Sequence, residues 1–160
     1  MNYSLRLITD SDRPFLKKVY YSTRETELDS IPWTQDEKDK FIEFQFNAQH
    51  NYFLSAYKGV EFLIIVVNNS KMGRLYLWKT ERQIRIVDIA LLPEFRNKGI
   101  GTKILNDLID ESESTGTKLT IHVKHDNPAL SFYERLGFNQ NDDDGLIYYL
   151  ERIPENGLKQ

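Results

Sequence analysis

The order of apolar and polar positions divides the chain into short strands and amphipathic helices. Some segments alternate with a period of two, and others are apolar on both faces, as in central strands. Segments with an apolar stripe at helical spacing lie between them. The predicted strands are residues 3–8, 61–67, 72–79, 83–92, 118–124 and 146–150.

Capping residues mark the two helices predicted in the first third of the chain. Residues 9–12, Thr-Asp-Ser-Asp, offer cap chemistry for a first helix, in which Pro14 is tolerated in the first turn. Residues 34–37, Thr-Gln-Asp-Glu, fit a capping box that begins a second helix ending near Gln49. Residues 24–33 are predicted to be a polar and aromatic connection between the two helices.

The lengths of the connections predict how the later strands pair. Short turns at residues 68–70 and 80–82 favour antiparallel pairing. The helix predicted from about 98 to 115, ended by Gly116, is long enough to make the following strand parallel to its predecessor. We therefore expect a mixed, mostly antiparallel sheet of six or seven strands with about four helices.

Composition limits the kind of protein. The 160 residues suit one domain, predicted as 1–153 with a short tail at 154–160. The net charge of −3 argues against a nucleic-acid binder, and the longest apolar run, 62–67, is too short to span a bilayer. The chain has no cysteine and no evident secretory leader, so we expect a cytoplasmic protein without a thiolate metal site. No metal is expected.

The stretch from Val87 to Leu105 carries the chemistry of the chain. An apolar strand ends at Pro93, a short basic segment with two glycines follows, and an amphipathic helix begins. Gly99 and Gly101 lack a Cβ, so an anion can approach the backbone where unpaired N–H groups begin the helix. This pattern predicts a diphosphate site.

The spacing excludes two common phosphate loops. A Walker-type loop needs Lys and Ser/Thr directly after its second glycine, but Gly101 is followed by Thr102 and Lys103. A dinucleotide-binding fingerprint needs a third glycine where this chain has Ile104. A general nucleotide-phosphate binder is therefore disfavoured.

Residues 96–101, Arg-Asn-Lys-Gly-Ile-Gly, resemble the Arg-x-x-Gly-x-Gly loop of the GNAT superfamily of acetyl-CoA-dependent acyltransferases. Residues 127–138, Asn-Pro-Ala-Leu-Ser-Phe-Tyr-Glu-Arg-Leu-Gly-Phe, resemble a second segment of the same superfamily, one strand further along. The resemblance covers about 84–138. It implies a three-layer α/β fold in which two adjacent parallel strands splay apart around the cofactor.

The resemblance also implies where acetyl-CoA binds as cosubstrate. The backbone of Ile89, Ala90 and Leu91 would bind the pantetheine arm, and Asn127 and Ala129 would lie beside it. Asn127 would contact the arm, cap the helix that follows it, or do both. The diphosphate would lie on the loop, which Arg96 opens. The residues of that loop are Arg96, Asn97, Lys98, Gly99, Ile100, Gly101 and Thr102.

The implied reaction is direct attack of an amine on the thioester. Tyr133 matches the superfamily's general acid, which protonates the departing thiolate, although it could also be a packed core residue. The base is left open among Asp88, His122 and a water chain. Asp88 interrupts an apolar strand, and a histidine has an ordinary pKa of about 6.5 that suits proton transfer near neutral pH. His125 and His50 rank lower because no motif positions them.

The acceptor is expected to be a small-molecule amine or a protein amino group. Glu25, Glu27, Asp29 and Trp33 either bind it or form a solvated loop. The segment 142–145, Asp-Asp-Asp-Gly, favours a turn over an attraction for a cationic acceptor. Aromatic residues of the N-terminal half suit either a pocket or a homodimer face. The alternative function is a catalytically silent, CoA-binding regulatory module.

Overall fold

The computed structural model describes residues 2–160, so Met1, the first residue of the predicted domain, lies outside the described residues. It has seven strands and four α-helices, with 3-10 turns at Asp10–Asp12 and Pro93–Phe95. In chain order these are β1 (Ser4–Leu7), α1 (Arg13–Asp29), α2 (Gln35–Ala56), β2 (Glu61–Val67), β3 (Ser70–Lys79), β4 (Gln83–Leu91), α3 (Ile100–Thr115), β5 (Lys118–Lys124), α4 (Leu130–Arg135), β6 (Asn139–Asp143) and β7 (Ile147–Arg152).

The strands form one sheet in the order β1-β2-β3-β4-β5-β7-β6. β4 and β5 are parallel, paired from Gln83↔Lys118 to Ile86↔Ile121, and β4 continues beyond this paired segment to Leu91. β1 pairs with β2, and β5 and β6 pair with β7, all in antiparallel fashion. The predicted mixed sheet with one parallel pair and four helices is confirmed.

The chain divides into two compact units. Unit 1 contains the residues up to Tyr76 together with Asp88–Gly101, and unit 2 contains Leu77–Val87 and Thr102–Gln160. The single domain expected over 1–153 stays a prediction.

Unit 1 has a core between its two long helices and β2. Its fully buried members include Leu16, Phe46 and Ile64. The predicted capping box begins α2: the Glu37 N–H donates to Thr34 Oγ1 at 3.2 Å, and the Thr34 N–H donates to Glu37 Oε1 at 3.3 Å. The box satisfies donors that the first turn would otherwise leave free.

Three predictions of local structure are wrong. α2, predicted to end near Gln49, continues to Ala56. Residues 24–29 belong to α1 and not to a connection, because Arg24 occupies a place in the apolar stripe between Tyr20 and Leu28 and lays its guanidinium over the Tyr20 ring. The turn predicted for 142–145 begins later, since Asp142 and Asp143 belong to β6. Every residue of β6 is exposed, so pairing with β7 creates this strand without an apolar pattern.

Candidate functional site

The loop between β4 and α3 has the backbone geometry of an anion-binding turn. Asn97 and Gly99 have positive φ angles of 61° and 85°, on either side of Lys98. Alternation of left-handed and right-handed backbone turns successive N–H groups toward a common side, and such concavities bind anions. The loop leads directly into the 16-residue helix α3, whose first N–H groups add to the positive potential.

The space in front of the loop is open. A Cβ added at Gly99 or at Gly101 would meet no atom within 4 Å. Arg96, Lys98 and Thr102 are exposed, whereas Ile100 is buried and anchors the start of the helix. The residues predicted to hold the diphosphate are thus accessible from solvent, and the glycines leave room for it.

The end of β4 adjoins this loop. Ile89, Ala90 and Leu91 are all half-buried, and the Arg96 Nε donates to the Leu91 carbonyl at 3.0 Å. This contact joins the first residue of the glycine loop to the strand predicted to bind pantetheine.

Gly73 of β3 packs against the same segment, and sequence reasoning did not identify it. A Cβ on Gly73 would lie 2.2 Å from the Ala90 carbonyl oxygen and 2.9 Å from the Leu91 Cα. The Ala90 carbonyl therefore points at Gly73. Because the peptide is trans, the Leu91 N–H points away from β3. A lone glycine within a strand is the sequence signal of close backbone approach.

Asp88 is engaged by a buried arginine. The Arg74 Nε donates to Asp88 Oδ2 at 2.6 Å, and the Arg74 side chain is 1% exposed while that of Asp88 is 26% exposed. Asp88 thus neutralises a charge that would otherwise be buried alone. One oxygen of this carboxylate is therefore engaged by Arg74.

Further polar and aromatic groups surround Arg74 within unit 1. Its guanidinium donates to Gln49 Oε1 at 3.1 Å and to the Tyr76 hydroxyl at 3.4 Å, and it lies over the rings of Tyr20 and Tyr76. Burial lowers the pKa of Arg74, but Asp88 and Tyr76 more than offset this, so the pKa is raised and the charge is kept. This cluster was not predicted.

His122 lies in unit 2 and is exposed near the end of β5. Its Nδ1 is 3.3 Å from Arg85 Nη1, and its ring is 5.4 Å from that of Tyr149. Partial desolvation, followed by the charge of Arg85, lowers the pKa of His122 below its ordinary 6.5, and Asp144 opposes this. The imidazole is therefore neutral near pH 7 and can accept a proton.

The two lower-ranked histidines have aromatic neighbours. The His125 ring stacks on Tyr148 at 3.9 Å, and its Nε2 contacts Asp143 Oδ1. His50 stacks on Phe62 at 4.3 Å, and burial is the main cause of its lowered pKa.

Tyr133 lies on the short helix α4 and is 7% exposed. Its ring stacks on Phe132 at 5.8 Å and meets the edge of Phe138 at 5.6 Å. Asn127 Oδ1 accepts from the Ala129 N–H at 2.8 Å, so this side chain stabilises the turn that enters α4. The helix begins at Leu130 with Ala129 as its N-cap and has no side-chain cap, so the prediction that Asn127 caps the helix is wrong, and Asn127 instead stabilises the preceding turn.

The acidic turn has local hydrogen-bonding roles. Asp144 Oδ1 accepts from the N–H groups of Leu146 and Ile147, and Asp143 Oδ1 accepts from Gly145.

Within residues 2–160, no group of three or more His, Asp or Glu side chains is arranged to hold a metal ion. Over the same residues, every helix is too short or too polar to traverse a bilayer.

Comparison with curated proteins identifies related sequences. An uncharacterised N-acetyltransferase of Methanocaldococcus jannaschii is 27% identical over 134 residues, covering 68% of this chain and 59% of that protein. The ribosomal protein bS18-alanine N-acetyltransferase of Salmonella typhimurium is 40% identical over 57 residues, covering 34% of this chain and 38% of that protein. Each alignment spans less than two-thirds of the relative's own length.

Solved structures share the fold over nearly the whole chain. The PaiA N-acetyltransferase of Thermoplasma acidophilum, solved with coenzyme A, matches with a TM-score of 0.68 and 20% identity over 96% of this chain and 99% of that one. The PseH N-acetyltransferase of Campylobacter jejuni, solved with acetyl coenzyme A, matches with a TM-score of 0.60 and 18% identity over 95% and 99%. A family model for the acetyltransferase (GNAT) family matches residues 16–138. The chain therefore belongs to the GNAT family of acetyltransferases.

Proposed function

We propose that this protein is an N-acetyltransferase that moves the acetyl group of acetyl-CoA directly onto an amine. The observation that carries the proposal is the open glycine loop, where Asn97 and Gly99 have left-handed backbone at the start of α3. Family membership and relatives named as N-acetyltransferases support the same activity. The acceptor is a small-molecule amine or a protein amino group.

In this proposal the loop and the end of β4 bind the cosubstrate. Backbone N–H groups from Asn97 to Thr102 hold the diphosphate, and Arg96 and Lys98 add positive charge. Ile89, Ala90 and Leu91 bind the pantetheine arm through their backbone, while Asn127 and Ala129 lie beside it. The Leu91 N–H, which points away from β3, polarises the thioester carbonyl as an oxyanion-hole donor does.

The reaction forms one bond and breaks another. The acceptor nitrogen bonds to the carbonyl carbon as the carbon–sulfur bond breaks, and the sulfur leaves with the bonding electrons. Tyr133 donates a proton to this thiolate. A phenol pKa near ~10 exceeds a thiol pKa near ~8.5, so this transfer is uphill unless positive charge nearby assists it.

His122 is our candidate for the base. Its lowered pKa keeps the imidazole neutral, but Arg85 faces its Nδ1 as Arg74 faces Asp88, so Arg85 must move aside for this nitrogen to take a proton. A neutral imidazole accepts the proton that the ammonium form of the acceptor must lose before or during attack, directly or through water. We assign Asp88 to holding Arg74 and the end of β4.

Calorimetric titration with acetyl-CoA tests whether the glycine loop binds the diphosphate. Gly101→Glu is the informative variant, because Gly101 has an ordinary φ and open space, whereas any side chain at Gly99 would be strained by its φ of 85°. A carboxylate in the first turn suits the helix dipole but repels a diphosphate. We expect binding to weaken about tenfold or more, as for like charges brought close together.

Asn106→Glu is the matched control, because it adds the same charge to the exposed face of α3 in the following turn. Binding by this control should stay close to that of the wild type. Equal binding by wild type and Gly101→Glu would refute diphosphate binding by the glycine loop. Tight binding without transfer to any amine would favour the silent regulatory module.

A further inference from the structure

A cavity of about 580 Å³ opens beside the end of β4, wholly within unit 1. α1 and α2 form its sides, and residues 92–94 close one end, directly after the strand segment that we propose binds the thioester. This adjacency makes the cavity a place for the acceptor. The inference therefore rests on the proposed acetyl transfer and asks which amine the cavity accepts.

The inner surface of the cavity is apolar. Ile42 and Leu92 are each 3% exposed, and Pro14 and Pro93 line the walls. Such a surface stabilises methylene groups by removing them from water.

Negative charge dominates the rim. Glu25, Asp39 and Glu94 line the opening, and among residues 2–160 none of the three has an ion-pair partner. Asp39 accepts a hydrogen bond from Gln35 Nε2 at 2.8 Å, which leaves its negative charge uncompensated. Glu43 also lines the cavity but is paired with Lys17.

Lys18 is the opposing charge on the same rim. It lines the cavity and, within the described residues, forms no ion pair. The uncompensated rim groups are therefore three carboxylates against one ammonium. The field of such a cleft concentrates cations.

We propose that the acceptor is an aliphatic amine with a second positive charge. One amino group reaches the thioester beyond Leu92, the methylene chain lies on the apolar surface, and the distal ammonium meets the acidic rim. An acceptor with a carboxylate at its distal end would be repelled by the same three side chains.

Three four-carbon acceptors test the charge directly: 1,4-diaminobutane, butylamine and 4-aminobutanoate. Steady-state transfer from acetyl-CoA should give the highest kcat/KM for the diamine, about fivefold or more above butylamine, with 4-aminobutanoate lowest. Comparable values for all three would overturn the inference while leaving acetyl transfer intact. Transfer to a peptide amino terminus but not to the diamine would do the same.

Removing an acidic or a basic side chain from the rim should change the KM for the diamine in opposite directions. Glu25→Gln, Asp39→Asn and Glu94→Gln should each raise the KM for 1,4-diaminobutane about two- to fivefold, with the KM for acetyl-CoA unchanged. Lys18→Gln should lower the KM for the diamine. Equal changes in the KM for the diamine and for butylamine would indicate a structural role of these side chains. That result would refute binding of the distal ammonium by the rim.

Failure of the proposed function is distinguishable from failure of this inference. If acetyl-CoA binds but no amine is acetylated, the transfer activity is refuted. 1,4-Diaminobutane is then titrated calorimetrically into the protein with CoA bound. Binding that Glu94→Gln weakens supports the cavity as a dication site, and no binding overturns it.

Discussion

Gly73→Ala should disturb the end of β4, because among the glycines Gly73 is the one at which an added Cβ would make the shortest contact. The new Cβ would lie 2.2 Å from the Ala90 carbonyl oxygen, whereas ordinary contact begins at 3.4 Å, so the oxygen must move by about 1.2 Å. The other close atoms are the Leu91 Cα at 2.9 Å and its Cδ2 at 3.0 Å. Since the first two are backbone atoms, no side-chain rotation relieves the clash.

The displacement should also move the Leu91 N–H, the group proposed to donate a hydrogen bond to the thioester carbonyl. The Ala90 carbonyl and the Leu91 N–H belong to one planar peptide group and move together. A hydrogen bond of about 2.9 Å lengthened by this amount is lost. Loss of one such donor lowers kcat by roughly 10²-fold or more. Overpacking should also lower the free energy of unfolding by about 1–3 kcal/mol.

The assay compares Gly73→Ala with Gly101→Ala, which adds a methyl group where nothing lies within 4 Å. Scanning calorimetry should show the Tm of Gly73→Ala reduced by about 2–12 °C. Below that temperature kcat should fall strongly. The Kd for CoA should rise by a smaller factor than kcat falls, because the peptide that moves is proposed to contact pantetheine whereas the glycine loop that is proposed to hold the diphosphate is untouched. An unchanged Tm and kcat would refute the reasoning, and a loss of CoA affinity equal to the loss of kcat would refute the role of the Leu91 N–H.

Three further outcomes are expected. Gly101→Ala should keep or raise the Tm, because alanine favours a helix by about 1 kcal/mol over glycine, yet weaken CoA binding measured by calorimetry. The acidic limb of kcat/KM should lie below pH 6.5, as the lowered pKa of His122 requires, and should disappear in His122→Gln; an unaltered pH profile would exclude His122 as the base. Asp12→Asn should reduce the free energy of unfolding by about 1–3 kcal/mol at pH 7, measured in denaturant, because it breaks bonds from Arg6 and Lys71 to a buried carboxylate. The pKa of Asp12 is lowered in the folded protein, chiefly by the hydrogen bond from Arg6. A carboxylate of this kind stabilises the fold above its unfolded pKa of about 4, and the stabilisation is lost in acid. The difference in free energy of unfolding between variant and wild type should therefore shrink as the pH falls below that value.

Local signals made much of the fold predictable. β2 and β5 were predicted with their observed bounds, because each combines a dense apolar run with clear turn residues at its ends. The capping box at Thr34 marked the start of α2, since a cap involves only residues within one turn. The left-handed glycine at position 116 ended α3 for the same local reason.

The glycine loop was also predictable, because the order strand, turn and helix start lies in one continuous stretch. The positive φ of Asn97 and Gly99 is local backbone geometry that short-range sequence determines. Its identity as a GNAT loop depended on a second motif further along the chain. The roles of Tyr133, His122 and the backbone of β4 stay predictions.

What only the tertiary structure decided involves partners distant in sequence. From the sequence Asp88 was one of several candidates for the base, and only the fold shows that Arg74, from the neighbouring strand, binds it. The need for glycine at position 73 follows only from the Ala90 carbonyl that packs against it. The cavity rim combines residues from two helices with Glu94. β6, exposed throughout, exists because β7 pairs with it. The sequence by itself determined caps, periodicity and turns, which act over a few residues. Charge pairing, close backbone contact and strand addition depend on which segments meet, and folding alone decides that.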